Sequence, residues 1–276
     1  MSLFITSLNS GSNGNCYYVG NGNEAVLIDA GISCRETEKR MKRLGLSMST
    51  VRAIFVSHEH ADHITGIPVL SKKYELPVYI TAPTLLSSGL LIEKRLVRSF
   101  RANEIISIGS LLIKAFTKFH DASDPHSFIV SGNNINIGIF TDIGTTCKQV
   151  IRHFKKCNAA FLEANYCNDM LANGSYPYFL KQRISGDHGH LSNDQALELF
   201  IKYKSPQLSL LVLSHLSKNN NSPTLVNRIF KKQAGKTKII VASRYEETPV
   251  YCIAPISQTV PLRRYEKSSQ LQLSLF

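Results

Sequence analysis

Within the stretch FVSHEHADHITG, four residues able to ligate a metal fall inside six positions: His58, His60, Asp62 and His63. They directly follow the strand-like run AIFV. At a strand end, side chains two residues apart point the same way, so His58 and His60 can chelate one ion. Asp62 and His63 lie where the chain turns into a helix and can reach a second ion a few Å away. Imidazole together with carboxylate suits Zn²⁺, Mn²⁺ or Fe²⁺ better than Ca²⁺. Packing alone gives no reason for four such residues in this pattern.

The elements that must position these groups are short. LFITSL, CYYVG, AVLIDAG, AIFVSH, VYIT, LLIKAFTKF, FIVSG and INIGIFTDIG read as strands bounded by turn residues, and CNAAFLEAN, LSLLVLSH and KIIVAS continue the series. Helical patterns fall at about 35–45, 62–74, 82–90, 145–155, 191–203 and 222–234. Strands follow strands in the first half and alternate with helices in the second. Two mixed sheets with helices outside, an α+β arrangement, accommodate that mixture. One catalytic domain is expected over 1–254, followed by a tail over 255–276.

With 32 Lys+Arg against 20 Asp+Glu, the net charge is +12, a surplus that favours polyanionic partners. No basic-then-apolar leader begins the sequence, and no apolar run approaches the ~20 residues that span a bilayer. The six cysteines are scattered without a C-x-x-C pair. They read as reduced thiols of a cytoplasmic protein, with no membrane partner.

The run H-x-H-x-D-H resembles the signature of the metallo-β-lactamase superfamily, over residues 1–250 or so. That resemblance implies a four-layer αβ/βα sandwich with a site for two divalent ions, Zn or Mn, with Fe as a further option. Asp29 in VLIDAG is similar to the Asp that supports the metal loop. His120 in KFHDASDP resembles the next ligand, with His126 as the alternative. Asp142 in GIFTDIG resembles the bridging carboxylate and His215 in LVLSHLS the last ligand. The resemblance thus implies His58, His60 and His120 on one ion, Asp62, His63 and His215 on the other, and Asp142 between them.

Such a site fixes the chemistry more narrowly than the substrate, because thioesters, lactones, β-lactams and phosphodiesters all remain open. Three features favour phosphodiesters. Ser12, Asn13, Gly14 and Asn15, in SLNSGSNGN, can turn backbone N–H groups toward a phosphate or form a plain hairpin turn. His190 in GHLS and Glu163 in LEAN resemble the acid pair of ribonuclease Z and its relatives, with His188 close enough to exchange roles. There Ser192 is a phosphate contact or simply a helix cap. Third, the basic run Arg35, Lys39, Arg40, Lys42 and Arg43 can line a groove or a solvated helix face.

SLNSGSNGNCYYV, FVSHEHADHITGI, LEANYCNDML and YPYFLKQRISGDHGHLSN resemble the bacterial YycJ/WalJ family from end to end. What this implies is a DNA exonuclease of 5′→3′ polarity, acting in replication or mismatch repair in the bacterial cytoplasm and at times on the nucleoid. Asp62 and His190, the latter set by Glu163, would carry catalysis. The alternatives are a small-molecule lactonase or cyclic phosphodiesterase, ribonuclease Z-like RNA processing, and a non-enzymatic adaptor.

The pentapeptide QLSLF, with Gln272, Leu273, Leu275 and Phe276, resembles the peptide that docks on the DNA polymerase sliding clamp. Leu275 and Phe276 would fill an apolar cleft and Gln272 would make polar contacts. The alternative is a tail folded back on its own domain.

Overall fold

A computed structural model describes residues 2–255. Met1 and residues 256–276, including Gln272, Leu273, Leu275 and Phe276, lie outside the described residues. The first sheet takes β1 (Leu3–Asn9), β2 (Cys16–Gly20), β3 (Ala25–Ile28), β4 (Val51–Phe55), β5 (Val78–Tyr79) and β6 (Val97–Arg98). The second takes β7 (Ile105–Ile108), β8 (Leu111–Thr117), β9 (His126–Gly132), β10 (Ile135–Phe140), β11 (Ala159–Glu163), β12 (Leu210–Ser214) and β13 (Lys238–Val241). A last strand, β14 (Tyr251–Ile253), returns to the first sheet and pairs antiparallel with β1.

Strand order is β14-β1-β2-β3-β4-β5-β6 in one sheet and β13-β12-β11-β10-β9-β8-β7 in the other. Each sheet opens as an antiparallel meander and continues as parallel strands, from β3 onward in the first and from β10 onward in the second. Parallel neighbours need crossover connections. The first half supplies α1 (Cys34–Arg43), α2 (Ala61–Ile64), α3 (Ile67–Tyr74) and α4 (Ala82–Ser88); the second supplies α5 (Lys148–Phe154), α6 (Asn168–Asn173), α7 (Tyr178–Ser185), α8 (Asn193–Tyr203) and α9 (Pro223–Lys231). Alternation with helices therefore belongs to both halves, contrary to the sequence reading. The strands β5 and β6 hold two residues each, too few to register as apolar runs.

Three apolar clusters make the expected four layers. Val26, Ile28, Ala53 and Phe55 of the first sheet meet Phe128, Val130, Phe161 and Val212 of the second. Residues of opposite parity face outward: Leu27 and Ile54 meet Met41 and Leu70 under α1 and α3. Leu162, Leu211 and Leu213 likewise meet Phe154, Phe200 and Phe230 under α5, α8 and α9. Because both faces of the parallel strands are covered, those strands read as continuous apolar runs.

Two further readings change. The helix expected over 62–74 breaks at Gly66, whose N–H donates to Ala30 O at 2.8 Å; a Cβ there would meet Ile32 O at 2.0 Å. Arg40 is no groove residue. It is buried, and its guanidinium donates to Leu8 O and Asn9 Oδ1 (both 2.7 Å), Tyr245 O (3.0 Å) and Glu36 Oε1 (2.9 Å). Arg43 pairs with Glu247 at 2.5 Å. All six cysteines are free thiols, as expected. Among the described residues no helix is long and apolar enough to cross a membrane.

The loop after β3 sets the position of the metal-binding stretch. Asn15 N–H donates to Asp62 O (2.7 Å), Gly31 N–H to Asn15 O (2.8 Å) and Ala30 N–H to His63 O (2.9 Å). A Cβ on Gly31 would lie 1.7 Å from Asp62 O, so the two backbones touch only because position 31 is glycine. Gly31→Ala is expected to push the Asp62 turn outward, costing roughly 1–3 kcal/mol of stability. Thermal unfolding should show a Tm several degrees lower, with Zn²⁺ affinity reduced in the same variant; an unchanged Tm would refute the contact.

Candidate metal centre

The site forms where strands of both sheets end. Asp29 follows β3, His58 lies just beyond β4, His120 beyond β8, and Asp142 beyond β10; Glu163 closes β11, and His215 follows β12. Three of these residues have left-handed backbone: Asp29 (φ 61°), Asp142 (φ 55°) and His215 (φ 56°). Such a conformation costs of order 1 kcal/mol or more for a side-chain-bearing residue and persists only where its surroundings enforce it. Here it turns each side chain sharply off its strand toward one point.

Each imbedded imidazole is oriented by what its Nδ1 donates to. His63 Nδ1–H donates to Asp29 Oδ2 at 2.7 Å, and Asp29 also accepts from Ser57 N–H and Ser57 Oγ–H, both at 2.8 Å. His58 Nδ1–H in turn donates to Ser57 Oγ (2.9 Å), and His120 Nδ1–H to Gly189 O (3.0 Å). His190 and His215 both donate from Nδ1 to Glu163 Oε1, at 2.8 and 3.0 Å. These bonds fix the tautomer and leave Nε2 as the ligand atom. His60 is the exception and presents Nδ1, which lies 3.1 Å from His58 Nε2 and 3.3 Å from His120 Nε2.

Those separations test the fit of a metal. Donor atoms around a tetrahedral ion with bonds of about 2.0–2.1 Å sit about 3.3 Å apart. The His58, His60 and His120 nitrogens meet that spacing. A second group is Asp62, His63 and His215, with His63 Nε2 3.6 Å and His215 Nε2 3.4 Å from Asp62 Oδ2. Asp142 stands between them: Oδ2 is 3.1 Å from His63 Nε2 and Oδ1 3.9 Å from His120 Nε2. Asp142 Oδ2 is buried and makes no hydrogen bond, an acceptor left for a cation. The donor set fits a divalent metal ion.

The electrostatics divide the imidazoles. Burial opposes charge on His63, but Asp142, Asp29 and Asp62 outweigh it and hold its pKa at about 10. His215 is raised likewise, burial being overcome by Asp142, Asp62 and Glu163. Burial dominates at His58 and at His120, which falls to about 3. Burial also opposes the carboxylates, yet His63 and His215 keep Asp62 at about 2, and His190 and His215 keep Glu163 at about 2.

All seven expected ligands, with Asp29, Glu163 and His190, thus come together; several companions do not. His126 bonds to Asp124 O (2.8 Å) and packs on Phe100, away from the cluster. His188 is exposed beside Phe119 and does not reach Glu163. Among the phosphate candidates, Ser12 lines the cavity. Asn13 binds Arg244 O at 2.8 Å. The N–H groups of Gly14 and Asn15 are engaged by Gly11 O and Asp62 O, so neither faces a phosphate. Asn15 instead donates from Nδ2 to Asp62 Oδ2 (3.1 Å) and steadies it. Ser192 is the N-cap of α8, in a capping box with Gln195.

Sequence reasoning missed Lys118, Asp121 and Arg183. Lys118 is buried with Nζ donating to Thr141 O (2.7 Å), a cation set among the site's carboxylates. Asp121 lies 3.3 Å from His120 Nε2 and binds Arg183 Nε at 2.5 Å. With Asp62, Asp142, His190 and His215 they line a cavity of about 350 Å³, except for Lys118, which lies beneath it. Proximity of Asp121 to His120 was the one available signal.

Compared with known proteins, residues 24–215 match the Beta-lactamase superfamily domain. The chain belongs to that superfamily. Within it, the chain is 34% identical over 230 residues to exodeoxyribonuclease YycJ of Bacillus anthracis, spanning 82% of this chain and 86% of that protein. It is 29% identical to exodeoxyribonuclease WalJ of Streptococcus pneumoniae, over 91% and 94% of the two chains. The superfamily fold recurs in the crystal structure of the metallo-beta-lactamase fold protein YhfI from Bacillus subtilis. That match has a TM-score of 0.70 at 16% identity and covers 90% of this chain and 99% of that one. A superfamily fold that closes around this buried donor set makes the chain a metal-dependent hydrolase.

Metal must displace the protons held by His63 and His215. Protonated His63 stabilises the metal-free fold fully below its ordinary value of about 6.5, and that contribution is lost as pH rises through about 10. Apparent Zn²⁺ affinity should therefore climb across this window. Calorimetry at pH 7 in buffers of different ionisation enthalpy should count at least one proton released per chain on loading; none would show both imidazoles already neutral.

Proposed function

We propose that the protein is a DNA exonuclease with 5′→3′ polarity, using two divalent ions, Zn or Mn with Fe as the further option. The observation that carries this reading is the Glu163–His190 pair on the cavity wall. Glu163 is fully buried and accepts His190 Nδ1–H, whereas the His190 side chain is 22% exposed and faces the cavity. A departing sugar alkoxide needs a proton donor, which a thiolate does not. The surplus of +12, the rim residue Arg183, and the names of the two relatives support the same choice.

In this reading His58, His60 and His120 hold one ion, Asp62, His63 and His215 the other, and Asp142 touches both. Bound divalent ions supply Lewis-acid polarisation of the phosphoryl group and lower the pKa of water. Asp62, steadied by Asn15, orients the attacking water and takes its proton. A new P–O bond forms as the P–O3′ bond breaks, and His190 gives a proton from Nε2 to the leaving 3′-oxygen. Glu163 acts through His190, holding its tautomer and stabilising the imidazolium. Arg183 meets an adjoining phosphate.

Incubation of metal-loaded protein with end-labelled DNA and RNA tests this directly. Shortening of DNA from the 5′ end, with Asp62→Ala at least about 10³-fold slower, is expected; preferential cutting of RNA, or none of either polymer, would overturn it. His190→Ala should slow DNA cleavage by about 10²–10⁴-fold yet spare bis-p-nitrophenyl phosphate, whose leaving group needs no proton. Equal losses on both substrates would remove the acid role.

We further propose that Gln272, Leu273, Leu275 and Phe276 dock the enzyme on the DNA sliding clamp, placing it in replication or mismatch repair. Burial of Leu275 and Phe276 contributes about 1.5–3 kcal/mol each, and ordering the peptide offsets much of that, giving micromolar affinity. Leu275→Ala with Phe276→Ala should abolish binding to a purified clamp in surface plasmon resonance while short DNA is cut at the normal rate. Persistent binding would place the contact elsewhere.

A further inference from the structure

The helix α7 (Tyr178–Ser185) is the one helix among the described residues that buries none of its side chains. Eight residues are too few for a helix to be stable alone, and no apolar face docks this one on the domain. It is held by polar tethers. Lys181 Nζ donates to Ala172 O (2.7 Å), Arg183 Nε to Asp121 Oδ2 (2.5 Å), and His190 N–H to Ile184 O (2.9 Å). At its start, Tyr178 and Phe179 stand 76% and 73% exposed.

The position of α7 is as telling as its exposure. Leu180, Arg183 and Ile184 line the catalytic cavity, while Tyr178, Lys181 and Ser185 line a separate hollow of about 450 Å³ on the other side. The helix is therefore a wall between the metal centre and a second depression. Residues 174–186 contain Lys181 and Arg183 and no acidic residue. Two flat aromatic side chains beside two cations, continuous with the cavity, match an unpaired nucleic-acid strand: bases stack on aromatics and phosphates meet the cations. A duplex hides its base faces and offers only phosphates to such a surface.

We propose that α7 grips the unpaired strand entering the site, with bases stacked on Tyr178 and Phe179 and phosphates against Lys181 and Arg183. This rests on the nuclease reading and adds a substrate class, single-stranded ends. In the test, metal-free protein, which cannot cut, is titrated into fluorescein-labelled oligo-dT and into a blunt duplex of equal length, with anisotropy as the readout. Oligo-dT should bind the tighter. Tyr178→Ala with Phe179→Ala should weaken it by about 10–100-fold and shift the duplex less than about twofold, and Tyr178→Phe with Phe179→Tyr should restore it. Circular dichroism checks the fold, which these exposed positions leave intact.

Unchanged oligo-dT affinity in the double alanine variant, from a protein that still degrades DNA, overturns the role of α7 and spares the nuclease. Equal weakening on duplex and single strand also overturns it. Wild-type protein that neither binds nor cuts DNA overturns the nuclease reading itself.

Discussion

The structure turns on keeping three carboxylates, Asp29, Asp142 and Glu163, almost wholly out of water. Isolated charge in that position costs several kcal/mol, so each must be surrounded by donors or by opposite charge. Glu163 accepts from Ile143 N–H, Leu191 N–H, His190 and His215. Asp29 accepts from Ser57 and His63. Asp142 has imidazoles close by and one oxygen without a hydrogen bond, which marks where the remaining positive charge belongs.

That requirement explains why the site uses the ends of both sheets. No single strand end can surround a carboxylate with imidazoles, but the parallel strands of two facing sheets deliver several ends to one place. The left-handed residues at 29, 142 and 215 then aim side chains across the gap between layers, a local strain that the wholly apolar central layer can sustain.

Much of this was legible in sequence because it is encoded locally. Strand ends carry their ligands one or two residues past an apolar run, so His58, Asp142 and His215 could be placed by position, and the four layers followed from runs apolar on both faces. The misreadings share a cause too. Asn15, Gly14 and Arg40 look like surface groups by type, but partners 30 to 200 residues away claim them, and no local pattern reports such partners. Helix α7 was invisible to periodicity because it has no buried stripe to repeat. His120 and His126 are equally histidines before a strand, and only the carbonyl of Gly189 distinguishes them.

Glu163 Oε1 serves two masters: His215, on the metal side, and His190, on the side of the leaving group. One oxygen shared by both rings makes them electronically reciprocal. Drawing electron density from His215 toward a cation weakens what that oxygen can offer His190, and loss of the proton from His190 does the reverse. Acidity at the exit of the reaction is thereby tied to occupancy at its centre, so an empty site and a spent acid are not independent states of the molecule. Any relative that replaces this glutamate must rebuild two functions at one position, which makes position 163 the least negotiable in the architecture.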